Sequence, residues 1–166
     1  MELELSVSEA SAPVSVEKIG SFIVSLQKEN GEIPWSAGGK TDPWDHVESA
    51  MGLSAAGFYT EAEKAYEWLA STQLEDGSWW SEIQDGKIIN SCKESNFAAY
   101  VAVGVFHHYL VTRDEKFLKK MWHTIAQGIQ FAINLQAPDG EIYWARNKHG
   151  AADKMALLTG SSSIYM

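Results

Sequence analysis

Trp68-Leu-Ala-Ser-Thr-Gln73-Leu-Glu-Asp-Gly77-Ser-Trp79-Trp80 is the stretch whose reading decides the fold. Two other segments match it without gaps. Phe22-Ile-Val-Ser-Leu-Gln27-Lys-Glu-Asn-Gly31-Glu-Ile-Pro-Trp35 precedes it, and Phe131-Ala-Ile-Asn-Leu-Gln136-Ala-Pro-Asp-Gly140-Glu-Ile-Tyr-Trp144 follows it. Each copy has an aromatic residue five before the Gln, a Gly four after it and a Trp within four of the Gly. The glutamines are 46 and 63 residues apart. That leaves room for one helical hairpin per unit, with an extra loop in the longer one. Self-similarity at such a period marks a repeat architecture.

The segments leading into each Gln read as amphipathic helices. Val16, Ile19, Phe22, Ile23 and Leu26 form one apolar stripe, and Ala62, Ala65, Tyr66 and Leu69 a second. Leu118, Met121, Trp122, Ile125, Ile129, Ala132 and Ile133 form the third. Thr60 to Glu63 and Thr112 to Glu115 have capping-box spacing. Between these helices lie others of a different kind. Phe97 to Phe106 is apolar all round, and Val47 to Phe58 is rich in Ala and Gly. A helix without a polar face is expected to be buried on all sides. Alternation of the two kinds predicts an all-α chain of antiparallel α/α hairpins, with an outer ring of helices around an inner one. A third inner helix is expected after Asp153.

Lys64-Ala65-x-x-Trp68-Leu69-x-x-x-Gln73-x-x-x-Gly77-x-Trp79 resembles the QW motif of terpenoid cyclases and protein prenyltransferases, with degenerate copies at Gln27 and Gln136. Asp42 to Glu48 and Thr159 to Tyr165 resemble small bacterial proteins labelled prenyltransferase. The resemblance implies an (α/α)6 toroid, an architecture shared with six-hairpin glycosidases, of which three hairpins make about half. It also implies an enzyme acting on an isoprenoid or lipid-linked substrate. A six-hairpin glycosidase-like protein with paired carboxylates is the second reading, and a non-catalytic repeat module that binds a partner or glycan is the third. The motifs of the first reading are thin. No DDxxD or DxDD run occurs, and Asn90 stands where the prenyltransferase zinc site needs an Asp two before its Cys, here Cys92.

Composition narrows the partners. The chain has 166 residues, 45% of them hydrophobic, and a formal net charge of −9. That charge opposes nucleic-acid backbones and anionic lipid. No run of 18 apolar residues occurs, so membrane insertion is not expected. No basic n-region with a long apolar segment opens the chain, and a cytoplasmic location is the default expectation. No P-loop, HExxH or CxxC motif is present, so neither cofactor nor metal is expected. Residues 1–13 read as a tail and 14–166 as the repeat domain. The last segment carries no polar cap, so either a further C-terminal half or a second copy is expected to complete the toroid.

In alternating hairpins every inner helix starts at the same end of the ring, so polar residues at those starts converge on one mouth. Asp42-Pro43-Trp44-Asp45-His46-Val47-Glu48 is the densest start. Asp45 and Glu48 share a helical face, and with His46 they offer acid, base and orienting groups. Asp42 and Pro43 also suit an N-cap and first helical position. Glu94 opens the second inner helix, either as a catalytic carboxylate or reaching back to Ser91 in a capping box. Asp45, His46, Glu48 and Glu94 are therefore the catalytic candidates. Asp42, Trp35, Trp44, Asn96, Trp144, Arg146 and Ser161 are the substrate-binding candidates. The tryptophans would stack on rings or chains, and Arg146 would contact an anion.

Overall fold

The computed structural model describes residues 15–165; the tail expected over residues 1–13 lies outside them. The outer helices are α1 (Val16–Leu26), α3 (Tyr59–Thr72) and α5 (Glu115–Ile133). The inner helices are α2 (Pro43–Ala55), α4 (Ser95–Thr112) and α6 (Leu158–Tyr165). α2 packs on α3 and α4, and α4 packs on α5 and α6, which is half of an α/α toroid. The core runs between the two layers, with Leu53, Tyr66, Leu69, Val101, Met121 and Phe131 fully buried. The inner helices α2 and α4 pack closely at Gly104. A Cβ there would lie 2.5 Å from Val47 Cγ1, and the Gly104 carbonyl accepts the buried Tyr66 hydroxyl at 2.9 Å.

The repeat is a hydrogen-bonded loop with constant geometry. In each copy the residue after the Gln donates its N–H to the carbonyl of the residue after the Gly at 2.8 Å, at Lys28, Leu74 and Ala137. Each Gly N–H returns to that same residue's carbonyl at 2.9 Å. The Gly φ angles are 95°, 88° and 101°, a region a side chain enters only under strain. Each Gln carboxamide donates to its own Gly carbonyl, at 3.1, 3.0 and 2.9 Å. Gln27 also donates to Glu61 O of α3 at 2.9 Å, and Gln73 to Thr124 O of α5 at 3.0 Å. One amide group thus closes its loop and clamps the next outer helix. Trp79, buried in the second copy, donates its indole N–H to Leu69 O at 2.8 Å and acts as a staple.

Several local expectations are corrected. α3 starts at Tyr59 after Phe58 with no side-chain cap, so Thr60 to Glu63 is not a capping box. The N-cap of α5 is Asp114, whose carboxylate accepts from Lys116 and Phe117 N–H, because Thr112 is the last residue of α4. The third inner helix does follow Asp153 as expected, starting at Leu158 beyond the short strand Ala152–Asp153. Phe106 is 54% exposed and Trp122 64% exposed, so neither α4 nor the α5 stripe is covered all round. Two small sheets were not anticipated. β1 (Glu82–Gln84) and β2 (Lys87–Asn90) form a hairpin through Asp85-Gly86, both with positive φ. β3 (Lys93–Glu94), β4 (Ala145–Arg146) and β5 (Ala152–Asp153) form the other. The longer second unit comes from this hairpin and from longer helices, 18 and 19 residues in α4 and α5 against 13 and 14 in α2 and α3.

The clamp yields a ranked stability prediction. A Cβ at Gly77 would meet Gln127 O at 2.2 Å, whereas one at Gly140 meets nothing within 4 Å. Gly140→Ala carries only the backbone strain, about 1 kcal/mol, while Gly77→Ala also pushes α5 away and costs about 3 kcal/mol or more. Urea unfolding of the two variants gives the order.

Candidate functional site

The α2 start is built as a cap. Asp42 is buried, its Oδ1 accepts Asp45 N–H at 2.9 Å, and its Oδ2 accepts the indole N–H of Trp35. Pro43 occupies the first helical turn, where no N–H is needed. The cap fixes Trp35 over the helix start, and the Lys40 ammonium lies 3.9 Å from that ring's centre. Asp45 and Glu48 then face a cavity of about 550 Å3, which Trp35 and Ser49 also line. Ile19, Phe22 and Ile23 of α1 form its apolar wall.

Trp44 links this start to α4. Its ring stacks on Tyr100 with centroids 3.8 Å apart and planes 5° apart, and its indole N–H donates to Glu48 Oε1 at 2.9 Å. Tyr100 Oη also reaches Glu48, at 3.5 Å. Glu94 stands at the N-cap of α4 but makes no cap hydrogen bond. It accepts from Ser81 Oγ at 3.0 Å and from the Trp144 indole at 2.9 Å, and so does not reach back to Ser91. Burial pushes the Glu94 carboxyl up, against the lowering effect of its hydrogen bonds from Ser81 and Trp144. Asp45 is pushed up to about 6, first by burial and then by Asp42 and Glu48, with Lys40 opposing.

The structure groups the sequence candidates unevenly. Trp35, Asp42, Asp45, Glu48 and Trp44 form one constellation at the α2 start, which Tyr100 of α4 joins through Trp44 and Glu48, while Glu94 and Trp144 form a separate pair at the α4 start. His46 stands apart. It is 1% exposed, its Nδ1 accepts Ile33 N–H at 3.2 Å, and its Nε2 therefore carries the proton facing Ala65 O at 2.9 Å. Burial drives it down to about 4, so it is a neutral bolt between the first repeat loop, α2 and α3. Arg146 donates to Asn134 O at 3.1 Å beyond the end of α5, and its guanidinium lies 5.8 Å from the centre of the Phe131 ring. Ser161 lines a groove with Gln136 and Gly140 on the far flank, away from the Asp45 cavity. Asn96 Oδ1 is buried with no hydrogen-bond partner among the described residues, and Gly160 of α6 lies against its side chain. Sequence reading missed Tyr100, Ser49 and Ser81. Tyr100 sits in an apolar run and Ser81 after a staple, so neither stands out without the folded contacts.

Comparison with known proteins selects among the chemistries. Over 153 residues the chain is 46% identical to MMP endo-(1,4)-3-O-methyl-alpha-D-mannosidase of Mycolicibacterium hassiacum, a match over 92% of this chain and 42% of that protein. The chain therefore spans less than half the length of this curated relative. No protein-family model matches. Among solved structures, cellobiose 2-epimerase from Bacillus thermoamylovorans B4167 superposes with a TM-score of 0.61 at 18% identity, over 84% of this chain and 39% of that one. An endo-beta-1,4-glucanase from Acetobacter xylinum gives 0.58 at 10%, over 80% and 43%. These two confirm the α/α-toroid fold. The mannosidase overturns the reading as a prenyltransferase or terpenoid cyclase, and with it the isoprenoid substrate: the QW-like repeat reports the clamp between hairpins and not the chemistry at their inner ends. Among the described residues no helix is long and apolar enough to cross a membrane.

The two titrations at the α2 start have opposite signs. Asp45 binds its proton more tightly in the folded chain than in the unfolded one, so its charge weakens the fold above about pH 6, and the penalty fades toward pH 4. His46 binds its proton less tightly when folded, so stability falls as pH drops from 6.5 toward 4. Asp45→Asn removes the first effect only. Its thermal midpoint should exceed the parent's by about 2 °C at pH 7.5 and match it near pH 4, giving a steeper acid loss. Melting curves across that range check the sign.

Proposed function

We propose that the chain forms part of a glycoside hydrolase acting on an α-linked mannose glycan, with the α2 start as its catalytic edge. The observation that carries this reading is the carboxylate–tryptophan constellation at Asp42, Asp45, Glu48, Trp35 and Trp44, in a chain 46% identical to an endo-mannosidase. Glycosidic cleavage needs one carboxyl that keeps its proton near neutrality and one that is ionised. Asp45, raised to about 6 and facing the cavity, suits the acid. Glu48 accepts from Trp44, and Tyr100 Oη approaches the same oxygen; these donors hold its carboxylate in place as the second group. Asp42 positions rather than reacts, since both its oxygens are occupied. Trp35, 55% exposed, offers a ring edge and face to a sugar.

The test is hydrolysis of α-(1→4)-linked 3-O-methylmannose oligosaccharides. It is measured on this chain and on a full-length hybrid in which the chain replaces the matching stretch of the mannosidase. Asp45→Asn should lower turnover by about 100-fold or more with the fold intact, the size of a lost general acid. Trp35→Ala should mainly raise KM. Turnover that survives Asp45→Asn in a folded hybrid contradicts the assignment of the acid, and cleavage of cello-oligosaccharides in preference to mannosides contradicts the substrate class.

A further inference from the structure

The first strand of the β1–β2 hairpin is sewn to the loop that carries Trp35. Thr41 N–H donates to Ile83 O at 2.8 Å, and Ile83 N–H donates back to Thr41 O at 2.9 Å. Gln84 Nε2 donates to Gly38 O at 2.8 Å, and at the hairpin tip the Asp85 carboxylate lies 3.6 Å from the Lys28 ammonium. Glu82 opens the strand. Its carboxylate is ion-paired with Lys40, and the Lys40 ammonium lies 3.9 Å from the centre of the Trp35 ring. Trp35 N–H donates to Lys40 O at 2.8 Å, so the ring and the ammonium stand on the two legs of one turn. Asp42 holds the ring by its edge, accepting the indole N–H. Edge and one face are thus both occupied, yet Trp35 stays exposed and lines the Asp45 cavity. The other face is what remains for a ligand.

Lys40 is also a cation beside the acid cluster. Asp45 faces Asp42 and Glu48 at its own helix start, while α1 and the first repeat loop line its cavity with apolar side chains alone. The positive charge of Lys40 opposes the rise of Asp45. An ammonium released from its partner here is drawn to the three carboxylates and lowers the proton affinity that a general acid at Asp45 needs. Paired with Glu82, the same charge is neutralised and fixed on the ring.

We propose that Glu82 is a positioning residue: it holds Lys40 on one face of Trp35 and off Asp45, so that the β1–β2 hairpin both orients the sugar platform and preserves the acid. What is positioned rests on the reading of the α2 start as a glycan site. The coupling itself, from Glu82 through Lys40 to Trp35 and Asp45, is a property of the folded chain. The Lys40 and Glu82 side chains are 28% and 29% exposed, so substituting either leaves the core untouched.

The experiment follows the Asp45 side-chain carboxyl by carbon NMR titration in this 166-residue chain, for the parent, Glu82→Gln, Lys40→Met and the double variant. KM and kcat on α-(1→4)-linked 3-O-methylmannose oligosaccharides are measured in the full-length hybrid. Lys40→Met removes the cation, and the Asp45 midpoint should rise by about half a pH unit. Glu82→Gln releases the cation, and the midpoint should fall by about as much. Both variants also free Trp35, and each should raise KM about threefold, the worth of one half-exposed cation–π contact. In the Lys40→Met background Glu82→Gln should change neither readout. Midpoints that move the same way in both single variants would reduce the pair to a brace and overturn the proposal. So would a fall on Glu82→Gln that persists in the Lys40→Met background, because Glu82 would then act on Asp45 by its own charge. An active hybrid whose KM is unchanged in both variants would overturn the role at Trp35. A hybrid that cleaves no mannoside, beside titrations of opposite sign, would refute the glycosidase reading and support the coupling.

Discussion

One carboxamide per hairpin determines the shape of this chain. A glutamine at the end of an outer helix can satisfy a loop carbonyl with one N–H and a neighbouring helix with the other. The first bond fixes where the loop turns, and the second fixes where the next outer helix lies. Because the geometry is the same at Gln27 and Gln73, each hairpin is set beside the last by the same step, and the two steps curve the three inner helices into part of a ring. Glycine is required four residues later for two reasons. The loop needs a positive φ, and the next helix approaches so closely that a methyl group would strike its backbone.

That step also explains why polar side chains gather at one end. Each inner helix begins after a repeat loop, so α2 and α4 present their N-termini on the same side. The start of α2 carries a carboxylate cluster in which burial, then Asp42 and Glu48, raise the proton affinity of Asp45, and the start of α4 carries Glu94, raised first by burial. Aromatic groups hold the cluster: Trp35 on Asp42, Trp44 on Glu48, Trp144 on Glu94. Indole N–H donors suit this task, since they fix an acceptor without adding a positive charge that would depress the acid.

The hairpin repeat was legible because its signal is covalently local. Gln, Gly and Trp at fixed offsets survive as a pattern whatever surrounds them, and the helical stripes follow from periodicity. The short sheets were not legible, since Lys93–Glu94 pairs with Ala145–Arg146 only once the third hairpin is in place. His46 shows the limit of reading a site from neighbours in sequence. It adjoins Asp45, but one residue along a helix turns the side chain by about 100°, and that rotation carries it into the core. Arg146 and Ser161 look polar and available in sequence, yet one packs at the end of α5 and the other lies on α6 beside the third repeat loop, away from the Asp45 cavity. The chemistry was misread for a related reason: the motif that resembles cyclases serves packing, which unrelated activities share on one fold.

The most direct test follows the tryptophan indole N–H resonances during titration with an α-(1→4)-linked mannose oligosaccharide. Seven indoles report from known places. If the α2 start is the glycan site, the signals of Trp35 and Trp44 shift first and saturate together, Trp144 follows, and the buried Trp79 and the exposed Trp122 of α5 stay still. Shifts confined to Trp122, or saturating binding that leaves Trp35 and Trp44 unmoved, would place the glycan elsewhere and contradict the account.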